Sequence, residues 1–262
     1  MAMATKEAAW RAKIGVVKAT HRGRTLGFWY NLAPEGVEVV TAMVGYRSGT
    51  RTSFGDQGLD RVRAATEELA ELGCSAVMIT GTPPFLLQGP EFEQEWCAEM
   101  EARLGRPVIT PTLPHIYALK ALGARRVAAA TYYNDDLNQG IVRFFAHFDI
   151  DVVLLGGLQS GEPSEELYST PLLSLDAVSY QDVYAYCKDG LVATGEDVDA
   201  IYINGSGWEA APALRYLERD LDVPTVWAQA ANVWYTYRRL LIRNETQGFG
   251  RLLEEWPPLP SL

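Results

Sequence analysis

Two stretches of this chain close in the same way. Ala76-Val77-Met78-Ile79-Thr80-Gly81-Thr82 has a counterpart 124 residues on, from 76 to 200, in Ala200-Ile201-Tyr202-Ile203-Asn204-Gly205-Ser206. Each is an apolar run ending in a polar residue, a glycine and a hydroxyl side chain. Glycine at that point lets the backbone turn sharply or come close to a ligand. The Thr82 and Ser206 hydroxyls, with the N–H groups around them, can then hold an anion. Either segment alone has the make-up of an ordinary strand–turn joint; the duplication is what points to a site. Residues able to move a proton are few. His21 lies in the basic loop Thr20-His21-Arg22-Gly23-Arg24, where its pKa is open to tuning near neutrality; a surface loop histidine is the plain alternative. His115 stands in Thr112-Leu113-Pro114-His115, with a helix-start packing role as the alternative. Glu209 follows Ser206 by three residues and suits a general base, or simply the first turn of a helix. Lys18, Arg22 and Arg24 can attract an acidic substrate, or form a solvated loop. His147, after Phe144-Phe145, is read as structural.

The elements that must position these residues alternate. Strands are expected at 13–19, 37–44, 76–80, 107–109, 126–131, 152–155, 200–204 and 224–227. Most are apolar runs without polar alternation, as in strands buried on both faces of a parallel sheet. Helices are expected at 56–73, 91–104, 112–122, 135–148, 177–194, 210–219 and 230–243, with 91–104 acidic and exposed. Leu59, Val62, Ala65, Leu69 and Leu72 recur at helical spacing in the first of these. Residues 161–174 are loop-like, and Trp256-Pro257-Pro258-Leu259-Pro260 cannot form regular structure. Strand–helix alternation implies parallel sheets with right-handed crossovers. The expected fold is therefore α/β, with two pseudo-symmetric lobes, each a parallel sheet flanked by helices. The site lies in the cleft between them. Residues 1–116 with 228–262 make the first lobe and 117–227 the second.

Composition narrows the partners. The 262 residues carry a formal charge of −10, which disfavours nucleic acid and anionic membranes. No run reaches the roughly 18 apolar residues of a membrane-spanning helix, and the first residues lack the apolar core of a signal peptide. Three cysteines without CxxC spacing and three scattered histidines argue for a reduced, cytoplasmic setting with no metal site. Trp29, Tyr30 and Trp208 near strand ends, with Asn31, suit a flat or aromatic small molecule; core packing is the alternative. Trp227 and Trp234 in an apolar C-terminal region leave a homodimer open.

Gly73-Cys74-Ser75-Ala76 leading into Gly81-Thr82, and Thr131-Tyr132-Tyr133-Asn134-Asp135-Asp136-Leu137-Asn138, resemble segments of the aspartate/glutamate racemase superfamily. The second is similar to its T-x-Y-x-x-x-x-N segment, whose tyrosine, here Tyr133, points into the site. The arylmalonate decarboxylase and maleate cis-trans isomerase branch is the most similar, and the resemblance spans nearly the whole chain. It implies cysteines at the two turns in racemases and isomerases, and at the second turn in the decarboxylase. Here those positions are Gly81 and Gly205, and Cys74, Cys97 and Cys187 lie elsewhere. Two-base racemisation through thiols, and addition of a thiolate to a double bond, are therefore unsupported. What the resemblance leaves is a cofactor-independent lyase or isomerase, decarboxylase-like, acting on a small carboxylate- or carbonyl-bearing compound. An enolate-type intermediate would be held by Gly81, Thr82, Tyr133, Gly205 and Ser206, with His21, His115 or Glu209 handling the proton. Trp208 and Asn31 would contact substrate. A hydrolase or ring-opening enzyme using a glutamate or histidine base in the same cleft is a second reading. A non-catalytic protein that binds a small acid is a third.

Overall fold

The computed structural model describes residues 9–20, 24–46, 48–157, 167, 175 and 177–262. Two lobes repeat one scheme. The first runs β1 (Ala12–Lys18), α1 (Arg24–Leu32), β2 (Val37–Met43), α2 (Arg51–Phe54), α3 (Asp56–Glu71), β3 (Ala76–Ile79), α4 (Pro83–Gln88), α5 (Pro90–Leu104), β4 (Val108–Ile109) and α6 (Leu113–Ala121). The second runs β5 (Arg126–Thr131), α7 (Asp135–Ala146), β6 (Asp151–Gly157), α8 (Tyr180–Thr194), β7 (Ala200–Ile203), α9 (Ala211–Leu221), β8 (Thr225–Trp227), α10 (Ala228–Arg239) and α11 (Arg251–Glu255).

Each lobe holds one wholly parallel four-stranded sheet, in the order β2-β1-β3-β4 and β6-β5-β7-β8. Every residue of β3 and β7 is buried, which is why both read as unbroken apolar runs. In each sheet the chain leaves the first strand toward one side and returns on the other. The reversal falls between β1 and β3, where Val16 pairs with Met78, and between β5 and β7, where Ala129 pairs with Tyr202. Open parallel sheets form ligand crevices at the carboxyl ends of strands beside such a reversal. α10 packs against α6, joining the end of the chain to the first lobe. α6 itself runs through the expected junction at 116/117.

Local chemistry sets the boundaries. Asn134 caps α7 by accepting from the Leu137 N–H, and Ser179 with Asp182 forms a capping box that starts α8 three residues after the expected position. α1, expected only as an aromatic cluster, is a helix that sends Phe28 and Trp29 into the core. The expectation that 91–104 is an exposed helix is corrected: Glu93, Trp96 and Met100 of α5 are buried. Trp227 and Trp234, the residues that suggested a dimer surface, are also buried within the chain. Among the described residues no helix is long and apolar enough to cross a membrane.

Candidate active site

The carboxyl ends of β1, β3, β5 and β7 converge on one cavity, so both topological reversals face the same space. Ala19 and Thr20 follow β1, Gly81 and Thr82 follow β3, Tyr132 and Tyr133 follow β5, and Gly205, Ser206 and Gly207 follow β7. His115 of α6 and Ala228, Gln229 and Asn232 of α10 complete much of its wall. Its enclosed volume is only about 30 Å³, and it opens into wider space at its mouth.

The two glycines are required by the backbone. Gly81 has φ 102° and Gly205 φ 81°, both left-handed. A Cβ on Gly81 would lie 2.7 Å from the Ala19 Cβ. A Cβ on Gly205 would lie 2.6 Å from Cε1 of Tyr132, and closer still to its Cζ and Oη. The Tyr132 hydroxyl thus fills the space into which a side chain at 205 would project, and it accepts the Gly207 N–H at 3.3 Å. Thr80 ties the first turn by donating its hydroxyl to the Val17 carbonyl at 3.0 Å and accepting the Ala19 N–H at 3.3 Å. The second turn is tied by the Trp227 indole, which donates to the Gly205 carbonyl at 2.9 Å.

What the turns offer the cavity is a set of neutral donors. Thr82 Oγ1 and Tyr133 Oη are 2.9 Å apart across the lobes. Among the described residues, the N–H groups of Gly81, Thr82, Gly205 and Ser206 make no hydrogen bond. α10 begins at the cavity with Ala228 and Gln229, so its positive dipole end faces in. No Lys, Arg, Asp or Glu side chain lines the cavity among the described residues. An anion here would be held by dipoles, and each donor counts for more the more fully the bound anion excludes water.

A buried chain of hydrogen bonds backs this set. Tyr202 donates its hydroxyl to Asn204 Oδ1 at 2.7 Å and sits 2.8 Å from His115 Nδ1. One hydroxyl has one proton, so Nδ1 carries the imidazole proton and donates to Tyr202, leaving Nε2 with its lone pair. Burial drives the His115 pKa down to about 3, against contacts with the Asn232 side chain and the Ala228 carbonyl that favour the charged form. The imidazole is therefore neutral at ordinary pH. Burial likewise raises the Tyr133 and Tyr202 phenols, and hydrogen bonds from Thr82 and Asn204 to Tyr133 oppose the rise.

Of the residues expected at the site, Gly81, Thr82, His115, Tyr133, Gly205 and Ser206 line this cavity. Asn31, Trp208 and Glu209 line a neighbouring one that shares Ser206. Glu209 is exposed and precedes α9, so it is not in that helix's first turn. His21 and Arg22 lie outside the described residues, as does the Arg24 side chain. Lys18 is buried at the end of β1, its Nζ 3.5 Å from Thr20 Oγ1. His147 pairs with Glu91 at 3.2 Å and is not among the residues that line the cavity. Trp29 and Trp208 are fully buried and Tyr30 is exposed; the aromatic rings that line the cavity are Tyr132 and Tyr133. Cys74 and Cys187 are buried, and Cys97 donates its thiol to the Val108 carbonyl at 3.0 Å. Burial raises all three thiols, Cys97 to about 12.

Sequence reasoning missed Tyr132, Gln229, Asn232 and Glu93. Glu93 is wholly buried, and its Oε1 accepts the Thr112 and Leu113 N–H groups at 2.8 and 3.0 Å. It thereby closes the start of α6, the helix that carries His115.

Comparison with known proteins comes to the same fold. A family model described as arylmalonate decarboxylase matches residues 31–253. An arylmalonate decarboxylase of Bordetella bronchiseptica is 28% identical over 201 residues, covering 76% of this chain and 80% of that one. A liganded double mutant of arylmalonate decarboxylase superposes with a TM-score of 0.79 at 24% identity, over 93% of this chain and 99% of the other. The maleate isomerase of Pseudomonas putida S16 gives a TM-score of 0.79 at 18% identity, over 94% and 99%.

Proposed function

This chain belongs to the arylmalonate decarboxylase family, and from that premise we propose that it decarboxylates a small malonate-type acid without a cofactor. One carboxylate is held by the Thr82 and Tyr133 hydroxyls with the N–H groups of the two turns. The other breaks away as carbon dioxide, and its bonding pair passes into an enediolate on the retained carboxylate. The same donors take up the charge that grows on those oxygens, a term that commonly dominates catalysis. Among the described residues the leaving carboxylate meets no cation in the cavity wall, which favours its loss as a neutral molecule.

The observation that carries this reading is the pairing of Thr82 with Tyr133 at 2.9 Å beside four N–H groups that make no hydrogen bond among the described residues. Decarboxylation is favoured over the isomerase reaction because neither turn bears a thiol to add to a double bond. It is favoured over hydrolysis because Glu209 opens on the neighbouring cavity and burial, by driving the His115 pKa down to about 3, makes that imidazole a weak base.

The test is incubation with α-methyl-α-phenylmalonate, and separately with maleate, in the presence of a chelator and with no added cofactor. Mass spectrometry should find the malonate short by one carbon dioxide and the maleate unchanged. Formation of fumarate would move the reading to an isomerase. Thermal stabilisation by the malonate without any change of mass would move it to a protein that only binds small acids.

A further inference from the structure

Loss of carbon dioxide leaves a carbanion that must gain a proton at carbon, and none of the oxyanion-holding groups is suited to give it. Thr82 and Ser206 are aliphatic alcohols. The His115 imidazole keeps its proton on Nδ1, directed away to Tyr202. Tyr133 is committed to the oxygens of the intermediate.

We propose that Tyr132 is the acid that protonates the carbanion. This rests on the decarboxylase reading above. Tyr132 lies at the carboxyl end of β5, lines the cavity, and is only 5% exposed. Its Oη stands where a side chain at 205 would stand, at the turn facing Thr82. Gly205, by lacking a side chain, makes room for that hydroxyl. The ring is fixed by edge-on contacts with Tyr133 and Trp208, each with centroids 5.1 Å apart. One feature favours loss of its proton. The Gly207 N–H donates to Oη, and would stabilise a phenolate more than a phenol.

The step balances as a single transfer. The pair left by the C–C bond returns from the enediolate to form a C–H bond, while the Tyr132 O–H bond breaks. Its electrons stay on Oη as a phenolate held by the Gly207 N–H, and solvent later restores the proton. Because the ring is fixed at one side of the cavity, the proton reaches one face of the carbanion and the product has one hand.

The experiment uses the full chain, α-methyl-α-phenylmalonate, and two readouts: carbon dioxide release and the enantiomeric excess of the 2-phenylpropionate formed. The unaltered protein should give one enantiomer. Tyr132→Phe keeps the ring and should slow release by about 10²-fold, with a product close to racemic because water then supplies the proton. The second variant carries 3-fluorotyrosine at position 132, which keeps the hydroxyl and its packing but is more acidic. It should keep the handedness and move the basic limb of the pH–rate profile to lower pH, a change that a packing role would not cause. Retained handedness and rate in Tyr132→Phe, or an unmoved basic limb in the fluorinated protein, would overturn the assignment while leaving decarboxylation intact. A racemic product from the unaltered protein would also overturn it. Absence of any carbon dioxide from the unaltered protein would overturn the decarboxylase reading, and the donor with it.

Discussion

Replacing Gly205 by alanine places a methyl group in space that the Tyr132 ring and hydroxyl already occupy, with Cε1 only 2.6 Å from the new carbon. Two costs follow. A non-glycine residue held at φ 81° costs about 1–2 kcal/mol. Overfilling a close-packed site adds about 1–3 kcal/mol, because the ring must leave its place between Tyr133 and Trp208. Gly73→Ala is the control, since Gly73 has φ 79° but open space beyond its Cα, so only the backbone cost applies. Equilibrium unfolding in urea should therefore show Gly205→Ala destabilised by roughly 2–5 kcal/mol and Gly73→Ala by roughly 1–2. In a Tyr132→Ala background the overfilling disappears, and the double-mutant cycle should return a coupling of about 1–3 kcal/mol. Equal midpoints for Gly205→Ala and Gly73→Ala, or a coupling near zero, would refute the claim that residue 132 fills the space of a side chain at 205.

Further outcomes follow from the buried groups. The unfolded chain's imidazoles take a proton below about pH 6.5, whereas folded His115 takes one only near 3. Stability from a neutral His115 is thus complete above 6.5 and is lost as pH falls toward 3, by about 5 kcal/mol at 1.36 kcal/mol per pH unit. His115→Gln should flatten the acid limb of the stability–pH curve; parallel curves for the two proteins would contradict this. Changing Cys74, Cys97 and Cys187 together to alanine should leave carbon dioxide release within a few-fold of the unaltered rate. A loss of about 10²-fold or more in a folded triple variant would mean that a thiol is needed after all. Glu93→Ala removes the acceptor for the Thr112 and Leu113 N–H groups. It should cost about 2–3 kcal/mol in thermal or urea unfolding, and an unchanged midpoint would show that the carboxylate does not hold the start of α6.

The strands and the turns were legible because their determinants are local. An apolar run closed by Thr-Gly-Thr or Asn-Gly-Ser needs no tertiary information to mark a buried strand and a backbone bend. The site's wall was less legible. Tyr132 borders Tyr133, and only packing against Gly205 distinguishes the roles of the two rings; nothing in the sequence shows that a missing side chain at 205 is filled from position 132. Gln229 and Asn232 did carry a signal. They stand three apart on one face of a helix whose other residues from Ala228 to Trp234 are apolar and buried. Polar residues on such a face are expected to meet a cavity or a partner. Glu93 was hidden by its neighbours, since Glu91, Glu95, Glu99 and Glu101 give α5 an acidic, solvent-facing look that one buried carboxylate does not break. Trp208 and Glu209 are near the second turn in sequence, but the chain directs them, together with Asn31, to the other side of Ser206.

The most direct test of the central claim is steady-state kinetics of Tyr133→Phe on α-methyl-α-phenylmalonate. If Thr82, Tyr133 and the turn N–H groups hold the retained carboxylate and, more strongly, the charge that grows on it as carbon dioxide leaves, kcat should fall by about 10²–10³-fold, with a much smaller rise in KM. A raised KM with kcat preserved would contradict the account, because Tyr133 would then bind the substrate without stabilising the transition state.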